Sequence, residues 1–210
     1  MESMQSVIND SLSITIGGKI LFPADFRGKG SQAAIKMALS RAVRSGQVKR
    51  LAQGIYFVPV IDPVLGELMP SPEAVAEQLA EREKVRIRPA GAFALHKLGL
   101  TTQVPTRLVY LTDGHPRKLK IGKATVEFKA TTPKKMALSG EISGLLILAL
   151  EGLELDKIDP ATEKRIIHLL QLEKPQLLDQ DLQLAPGKIY DYLVRLLKKI
   201  PYDRMAATNA

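Results

Sequence analysis

The sequence of 210 residues contains no cysteine, and aromatic residues make up only 5% of it. Without cysteine the protein has no disulfide, no thiolate metal ligand and no cysteine nucleophile, and we expect it to work in a reducing compartment. The first residues lack a basic stretch followed by an apolar run, so no signal peptide is predicted. The strongest apolar run, 145–150, is far shorter than the roughly 20 residues that cross a bilayer. These absences predict a cytoplasmic protein without membrane contact.

Acidic residues are scarce in the first part of the chain. Residues 1–60 contain eight Lys and Arg against three Asp and Glu, a net charge of +5, and no acidic residue lies between Arg27 and Val60. The whole chain carries a formal net charge of +8. A continuous positive field of this kind favours a nucleic acid, an anionic surface or an acidic partner.

Residue patterns typical of an active site are also absent from the sequence. His96, His115 and His168 fall in different predicted elements, without a second His or a carboxylate at metal-ligand spacing. Neither GxxxxGK[ST] nor GxGxxG occurs, so nucleotide binding has little support. We therefore predict no catalytic residue, no metal and no cofactor, and we do not expect an enzyme. An enzyme acting on nucleotides or nucleic acid is the least supported alternative.

Residues 28–58 predict a helix followed at once by a β-hairpin. Ser31 is placed to cap the start of the helix, and Gly46 is placed to end it. One helical face is apolar and consists of Ala34, Ile35, Ala38, Leu39 and Ala42. The runs 48–51 and 55–58 are strand-like, and the tight turn that joins them lies at Gln53 and Gly54.

The opposite side of this helix and the hairpin are polar and basic. Their side chains are Gln32, Lys36, Ser40, Arg41 and Arg44 on the helix, and Lys49, Arg50 and Gln53 on the hairpin. A polar helix fits the major groove of DNA, and a basic hairpin beside it can contact phosphates. This order predicts a winged helix-turn-helix, whereas the simpler interpretation is a solvated basic face on a small α/β unit.

The whole pattern predicts an α+β protein with two domains. Residues 1–60 are predicted to form the winged helix-turn-helix, and residues 61–72 a proline-rich linker. Residues 73–205 are predicted to form an α+β domain with a helical C-terminal part.

A second basic feature lies in the predicted second domain. Residues 84–88 alternate strictly, so Val85 and Ile87 are expected to face a core while Lys84, Arg86 and Arg88 face outward. Further cations follow in sequence at Arg107, Arg117, Lys118, Lys120 and Lys123. Together they predict a positive surface for nucleic acid or an acidic protein, and the alternative is an edge strand protected by its charges. Few aromatic residues lie among these cations, which argues against a platform for stacking single strands.

Four segments resemble the AbiEi-type antitoxins, namely 30–41, 46–56, 89–100 and 103–114. The most specific match is in the hairpin, where an arginine and an apolar residue are followed two residues later by glycine, an apolar residue and tyrosine. The resemblance covers about residues 5–135.

This resemblance implies a bacterial type IV toxin–antitoxin system. In that family an N-terminal winged helix binds operator DNA and represses the operon, while the next domain counteracts a nucleotidyltransferase-like toxin, often without a stable complex. By position, the resemblance implies groove contacts from Ser31, Gln32, Lys36 and Ser40, and wing contacts from Lys49, Arg50 and Gln53. The family's basic antitoxin surface is matched in type by Lys84, Arg86, Arg88, Arg117, Lys118 and Lys120.

The sequence thus predicts a DNA-binding transcriptional repressor that acts as an antitoxin, with double-stranded operator DNA and a nucleotidyltransferase-like toxin as its partners. The alternative is a protein-interaction module that uses the basic surface of the second domain and has no toxin partner.

Overall fold

The computed structural model describes residues 3–13 and 17–199. Nine α-helices and nine β-strands lie in that part of the chain, so the fold is mixed α+β, as the sequence predicts. The chain divides into two compact units. The N-terminal unit takes the residues up to Leu79 together with 119–125, and the second unit takes Ala80–Lys118 and the chain from Val126 onward. None of the described helices is both long enough and apolar enough to cross a bilayer.

The N-terminal unit begins with six elements, of which the last three are the helix and the β-hairpin that the sequence predicts. They are α1 (Met4–Ser13), β1 (Ile20–Leu21), a 3₁₀ turn (Pro23–Phe26), α2 (Gln32–Arg44), β2 (Lys49–Ala52) and β3 (Ile55–Phe57). The three strands form an antiparallel sheet in the order β1-β3-β2. Ile8, Phe26, Leu39 and Val48 are fully buried between the helices and this sheet, and burial of such side chains contributes about 1.5–3 kcal/mol each.

The segment 61–72 is more structured than the linker that the sequence predicts. It contains most of a two-stranded antiparallel hairpin of β4 (Val60–Asp62) and β5 (Gly66–Leu68), which belongs to the N-terminal unit. Proline is tolerated at strand ends and in turns, and the three prolines of this segment, Pro63, Pro70 and Pro72, lie outside both strands. The prolines therefore lie in the loop and after the last strand of the hairpin, and they do not indicate an unstructured connection.

The second unit contains a sheet and a group of helices. Three elements cross the unit boundary, namely α3 (Pro72–Glu83), β8 (Arg117–Ile121) and β9 (Ala124–Ala130), because residues 119–125 are grouped with the N-terminal unit. The remaining elements are β6 (Ile87–Ala90), α4 (Gly91–Lys97), β7 (Arg107–Thr112), α5 (Pro133–Met136), α6 (Ser143–Leu150), a 3₁₀ turn (Leu155–Lys157), α7 (Pro160–Leu172), α8 (Pro175–Leu184) and α9 (Gly187–Leu197). The strand order is β6-β7-β9-β8. Helix α6 is almost wholly apolar and buried, and it packs against α4, α8 and β6.

The strand predicted at 84–88 begins later than expected. Lys84 has a φ of 57°, a left-handed conformation that ends α3, and the Val85 N–H donates to the Ala80 carbonyl at 3.0 Å. The chain must complete this turn before it can pair with β7, so β6 starts only at Ile87. The alternation of residues 84–88 still predicts correctly that Lys84 and Arg86 are exposed, and it is wrong only for Arg88, which is half-buried.

Two buried carboxylates hold the loop that leads into α6. Asp181, which is fully buried, accepts the N–H groups of Ser139 at 2.7 Å and Gly140 at 2.9 Å. Glu173 accepts the N–H groups of Ile142 and Ser143 at 2.9 Å each. The Ser143 hydroxyl donates to Asp181 at 2.6 Å. A buried carboxylate needs such donors, because an unpaired one costs several kcal/mol.

The pKa of Glu173 makes stability depend on pH. Burial acts to raise this pKa, but the backbone N–H groups of Ser143, Ile142 and Lys174 outweigh burial and lower it below the ordinary 4.5. A carboxylate with a lowered pKa stabilises the fold above its unfolded pKa, and the contribution is lost as the pH falls through the folded value.

We predict that the urea midpoint of the wild type falls more steeply between pH 6 and pH 3 than that of Glu173→Gln, which cannot titrate there. At pH 6 the substitution itself should cost about 1–3 kcal/mol, because charged hydrogen bonds are lost. Glu141→Gln, at an exposed position in the same loop, is the control and should follow the wild type. Equal pH dependence in the wild type and Glu173→Gln would contradict the role of Glu173.

Candidate nucleic-acid interface

Helix α2 is fixed at both ends by the residues that the sequence predicts. The Ser31 side chain accepts the Ala34 N–H at 3.2 Å, which satisfies one of the free donors of the first turn. At the other end Ser45 is the C-cap, and Gly46 has a φ of 76°, a conformation that costs glycine little. These caps limit the helix to Gln32–Arg44, a range that includes the whole of its apolar face.

Burial of one face of α2 leaves the other face in solvent. Ile35, Ala38, Leu39 and Ala42 are buried, and Ala34 is half-buried. The predicted outer residues are all exposed, namely Ser31, Gln32, Lys36, Ser40, Arg41 and Arg44. Met37 lies among them with 57% of its surface exposed.

The β2–β3 hairpin presents its predicted polar residues in the same way. Its loop consists of Gln53 and Gly54, and the φ of 74° at Gly54 allows this tight reversal. Lys49, Arg50 and Gln53 are exposed. The guanidinium Nε of Arg50 donates to the Ala52 carbonyl at 3.4 Å, so the side chain lies along the hairpin.

One groove of about 390 Å³ joins α2 to the hairpin. The helix lines it with Lys36 and Ser40, and the hairpin lines it with Arg50, Gln53, Gly54 and the buried Tyr56. Pro23, at the start of the 3₁₀ turn, also lines it. Four of the nine predicted DNA-binding residues therefore meet at one groove. The other five, Ser31, Gln32, Arg41, Arg44 and Lys49, do not line it. Tyr56 and Pro23 are lining residues that were not predicted, because their place in the groove depends on how β3 and the 3₁₀ turn pack.

Lys49 has an acidic neighbour that the sequence analysis missed. Its ammonium group forms an ion pair with Glu67 of β5, within the same unit. Glu67 lies 18 residues further along the chain, in the segment predicted as a linker. This carboxylate offsets the charge of Lys49, while Lys36 and Arg50 form no ion pair within the described residues.

The cations predicted as a partner surface in the second unit are mostly paired with carboxylates. Arg86 donates from Nε to Asp113 at 2.8 Å, and its backbone N–H donates to the other oxygen of Asp113 at 2.8 Å. The hydrogen bond from the Arg86 side chain is the main reason why the pKa of Asp113 is lowered. Arg117 forms two hydrogen bonds of 2.7 Å with Glu83, and its guanidinium lies 5.1 Å from the ring centre of Phe128.

Glu127 forms ion pairs with two further cations. Lys118 lies 3.2 Å from one oxygen of Glu127, and Arg107 forms an ion pair with the other. Burial acts to raise the pKa of Glu127, but hydrogen bonds from these two cations outweigh it and lower the pKa.

Arg88 was expected to face outward, and the structure corrects this. It is half-buried, and its guanidinium donates to the Leu138 carbonyl. Burial lowers the pKa of Arg88, although the charge of Asp181 acts in the opposite direction. Of the six predicted surface cations, Lys84 and Lys120 are exposed and form no ion pair with any described residue.

The three histidines lie in different parts of the fold, as the sequence predicts. His96 is on α4, His115 is in the turn after β7, and His168 is on α7. In residues 3–13 and 17–199, no group of His, Asp and Glu side chains is arranged to hold a metal ion.

The chain belongs to a family of unknown function, DUF6088, whose model matches residues 7–178. The match covers the α2–hairpin groove and most of the second unit. No curated protein is similar enough to the chain to count as a match.

Proposed function

We propose that the chain is a transcriptional repressor that binds double-stranded DNA through a winged helix-turn-helix. Helix α2 enters the major groove, and the β2–β3 hairpin, as the wing, contacts the phosphates beside it. The observation that carries the proposal is the groove in which Lys36 and Ser40 of the helix meet Arg50 and Gln53 of the hairpin. The order of the elements and of the strands β1-β3-β2 also supports it.

The side chains on the outer face of α2 suit the recognition of base edges. Glutamine pairs well with adenine, lysine with guanine, and serine with either donors or acceptors. Gln32, Lys36 and Ser40 are spaced by four residues, so they follow one face of the helix. The major groove admits an α-helix, and each good base contact contributes about 1–3 kcal/mol of discrimination against the wrong base.

Electrostatics gives the second line of support. Lys36, Arg41, Arg44 and Arg50 are exposed, and no carboxylate lies between Arg27 and Val60 in the sequence. Phosphate contacts by such cations release counterions and supply most of the affinity for DNA of any sequence. In the second unit, by contrast, Arg86, Arg117 and Lys118 are paired with carboxylates, which weakens the alternative of a basic protein-docking surface.

The antitoxin role follows from the resemblance to the AbiEi-type antitoxins, and it stays a prediction beside the DNA-binding proposal. A gene for a nucleotidyltransferase-like toxin next to the gene for this chain would support it. Of the six predicted cations, Lys84 and Lys120 suit an acidic partner best, because they are exposed and form no ion pair with a described residue.

We predict that Arg50→Ala and Lys36→Ala weaken binding to duplex DNA from the region upstream of the gene. Loss of one phosphate contact should reduce the slope of log K against log salt by about 0.9. Lys36→Ala should also reduce the preference for the upstream duplex over an unrelated one, because a base contact is lost. Fluorescence anisotropy between 50 and 200 mM salt measures both effects.

Lys164→Ala is the matched control for these two variants. It removes one exposed cation from α7, far along the chain from the groove, and should bind DNA like the wild type. Undetectable binding of the wild type to the upstream duplex at low salt would contradict the proposal. Equal losses of DNA affinity in Lys164→Ala and Arg50→Ala would show that binding depends only on the net charge of the chain.

We further predict that Glu67→Gln strengthens DNA binding. The carboxylate of Glu67 competes with phosphate for Lys49, so its removal frees one cation and should steepen the salt slope by about 0.9. Glu77→Gln changes the net charge equally at an exposed position on α3, and it should have a smaller effect. If the two variants bind equally well, Lys49 makes no phosphate contact.

A further inference from the structure

The centre of the exposed face of α2 follows from helix geometry. Successive residues of an α-helix are turned by about 100° around its axis. The four buried apolar residues of α2 define the direction of the core, and the opposite direction is the centre of the exposed face. When residues are placed at these steps, four exposed side chains lie within about 30° of that centre, namely Ala33, Met37, Ser40 and Arg44. A ligand bound to this face of the helix meets these four side chains first.

One of the four central side chains, that of Met37, is large and apolar, although the face around it is polar and basic. It exposes 57% of its surface. Lys36 and Arg41 lie on either side of the centre, each about 70° from it around the helix axis. A single exposed apolar residue is common at protein surfaces. Here, however, the helix places it between two cations, at the middle of any polyanion that binds to both.

The position of Met37 along α2 also suits contact with base edges. In helix-turn-helix proteins the N-terminal residues of the recognition helix contact the bases. Met37 is the sixth of the thirteen residues of α2, whereas Arg44 is the last. Ala33 lies one turn before Met37 on the same line of the helix, and its small side chain lets the helix approach the floor of a groove closely. Of the four central residues, Met37 therefore combines a long side chain with a place in the N-terminal half of the helix.

The thioether side chain of Met37 has the chemistry to select one kind of base edge. It has no strong hydrogen-bonding group, so it does not distinguish the donors and acceptors of the bases. Thymine presents an apolar group in the major groove, its C5-methyl group, and apolar side chains contact it. Methionine is unbranched and polarizable, so it adapts to such a small apolar surface. The centre of the exposed face of α2 is therefore complementary to a thymine methyl group.

We propose that Met37 is a specificity-determining residue that contacts the C5-methyl group of a thymine in the DNA site. The inference rests on the proposed binding of DNA through α2, and it adds the base that the centre of this helix selects. Gln32, Lys36 and Ser40 discriminate among bases by hydrogen bonds, whereas the contact with Met37 depends on the methyl group alone.

Uracil in place of thymine tests the proposal, because uracil lacks the C5-methyl group and keeps the hydrogen-bonding groups of thymine. Fluorescence anisotropy with the full chain measures the dissociation constants of the upstream duplex and of the same duplex made with deoxyuridine in place of thymidine. The wild type should bind the uracil duplex at least about fourfold more weakly, which is the effect of losing one buried methyl group. Replacing one thymine at a time should locate this loss at the contacted bases.

Three variants assign this effect to Met37. Met37→Ala should bring the ratio of the two dissociation constants close to one, because the alanine side chain does not reach the methyl group. Alanine is the best helix former, so the exposed position 37 tolerates it. Met37→Leu keeps a large apolar side chain and should retain the wild-type ratio. Met69→Ala is the matched control, since Met69 is 54% exposed and lies outside α2, and it should also retain that ratio.

Equal affinity of the wild type for the two duplexes would overturn the role of Met37 and leave the proposed DNA binding intact. A wild-type ratio in Met37→Ala would also overturn it, because the loss would then come from a change in DNA shape or from another side chain. A wild type that binds neither duplex at low salt would overturn the proposed function and this inference together.

Discussion

The burial of one face of helix α2 is the constraint on which the candidate interface depends. The helix buries four apolar side chains on one face, those of Ile35, Ala38, Leu39 and Ala42. Because the helix repeats every 3.6 residues, Lys36 and Ser40 then face solvent. Ser31 and Gly46 fix where the helix begins and ends. The hairpin follows after four residues, so it cannot lie far from the exposed face of the helix. The groove is thus a consequence of hydrophobic burial rather than of direct contacts among its polar residues.

The two units use their cations in different ways. In the N-terminal unit Lys36 and Arg50 lie at the surface without ion pairs among the described residues, so their fields extend into solvent. In the second unit Arg86 and Arg117 each hydrogen-bond a carboxylate at 2.7–2.8 Å. A paired cation contributes to local geometry and little to long-range attraction. Net charge alone would have assigned both units the same role.

Much of the fold could be predicted from the sequence because its signals are local. The cap at Ser31 and the two-residue loop at Gln53 and Gly54 depend on neighbours a few residues away. The features that were missed depend on distant contacts. Helix α8 was not predicted, since Asp181 occupies part of its buried side and is stabilised by N–H groups about 40 residues earlier. The pairing of Lys49 with Glu67 and the inward turn of Arg88 likewise require the tertiary structure.

The most direct test of the central claim is an NMR titration of the labelled full chain with a short duplex from the upstream region. The account predicts that amide shifts concentrate on α2 and the β2–β3 hairpin, above all at Lys36, Ser40, Arg50 and Gln53. Shifts confined to the second unit, or no shifts at low salt, would contradict it.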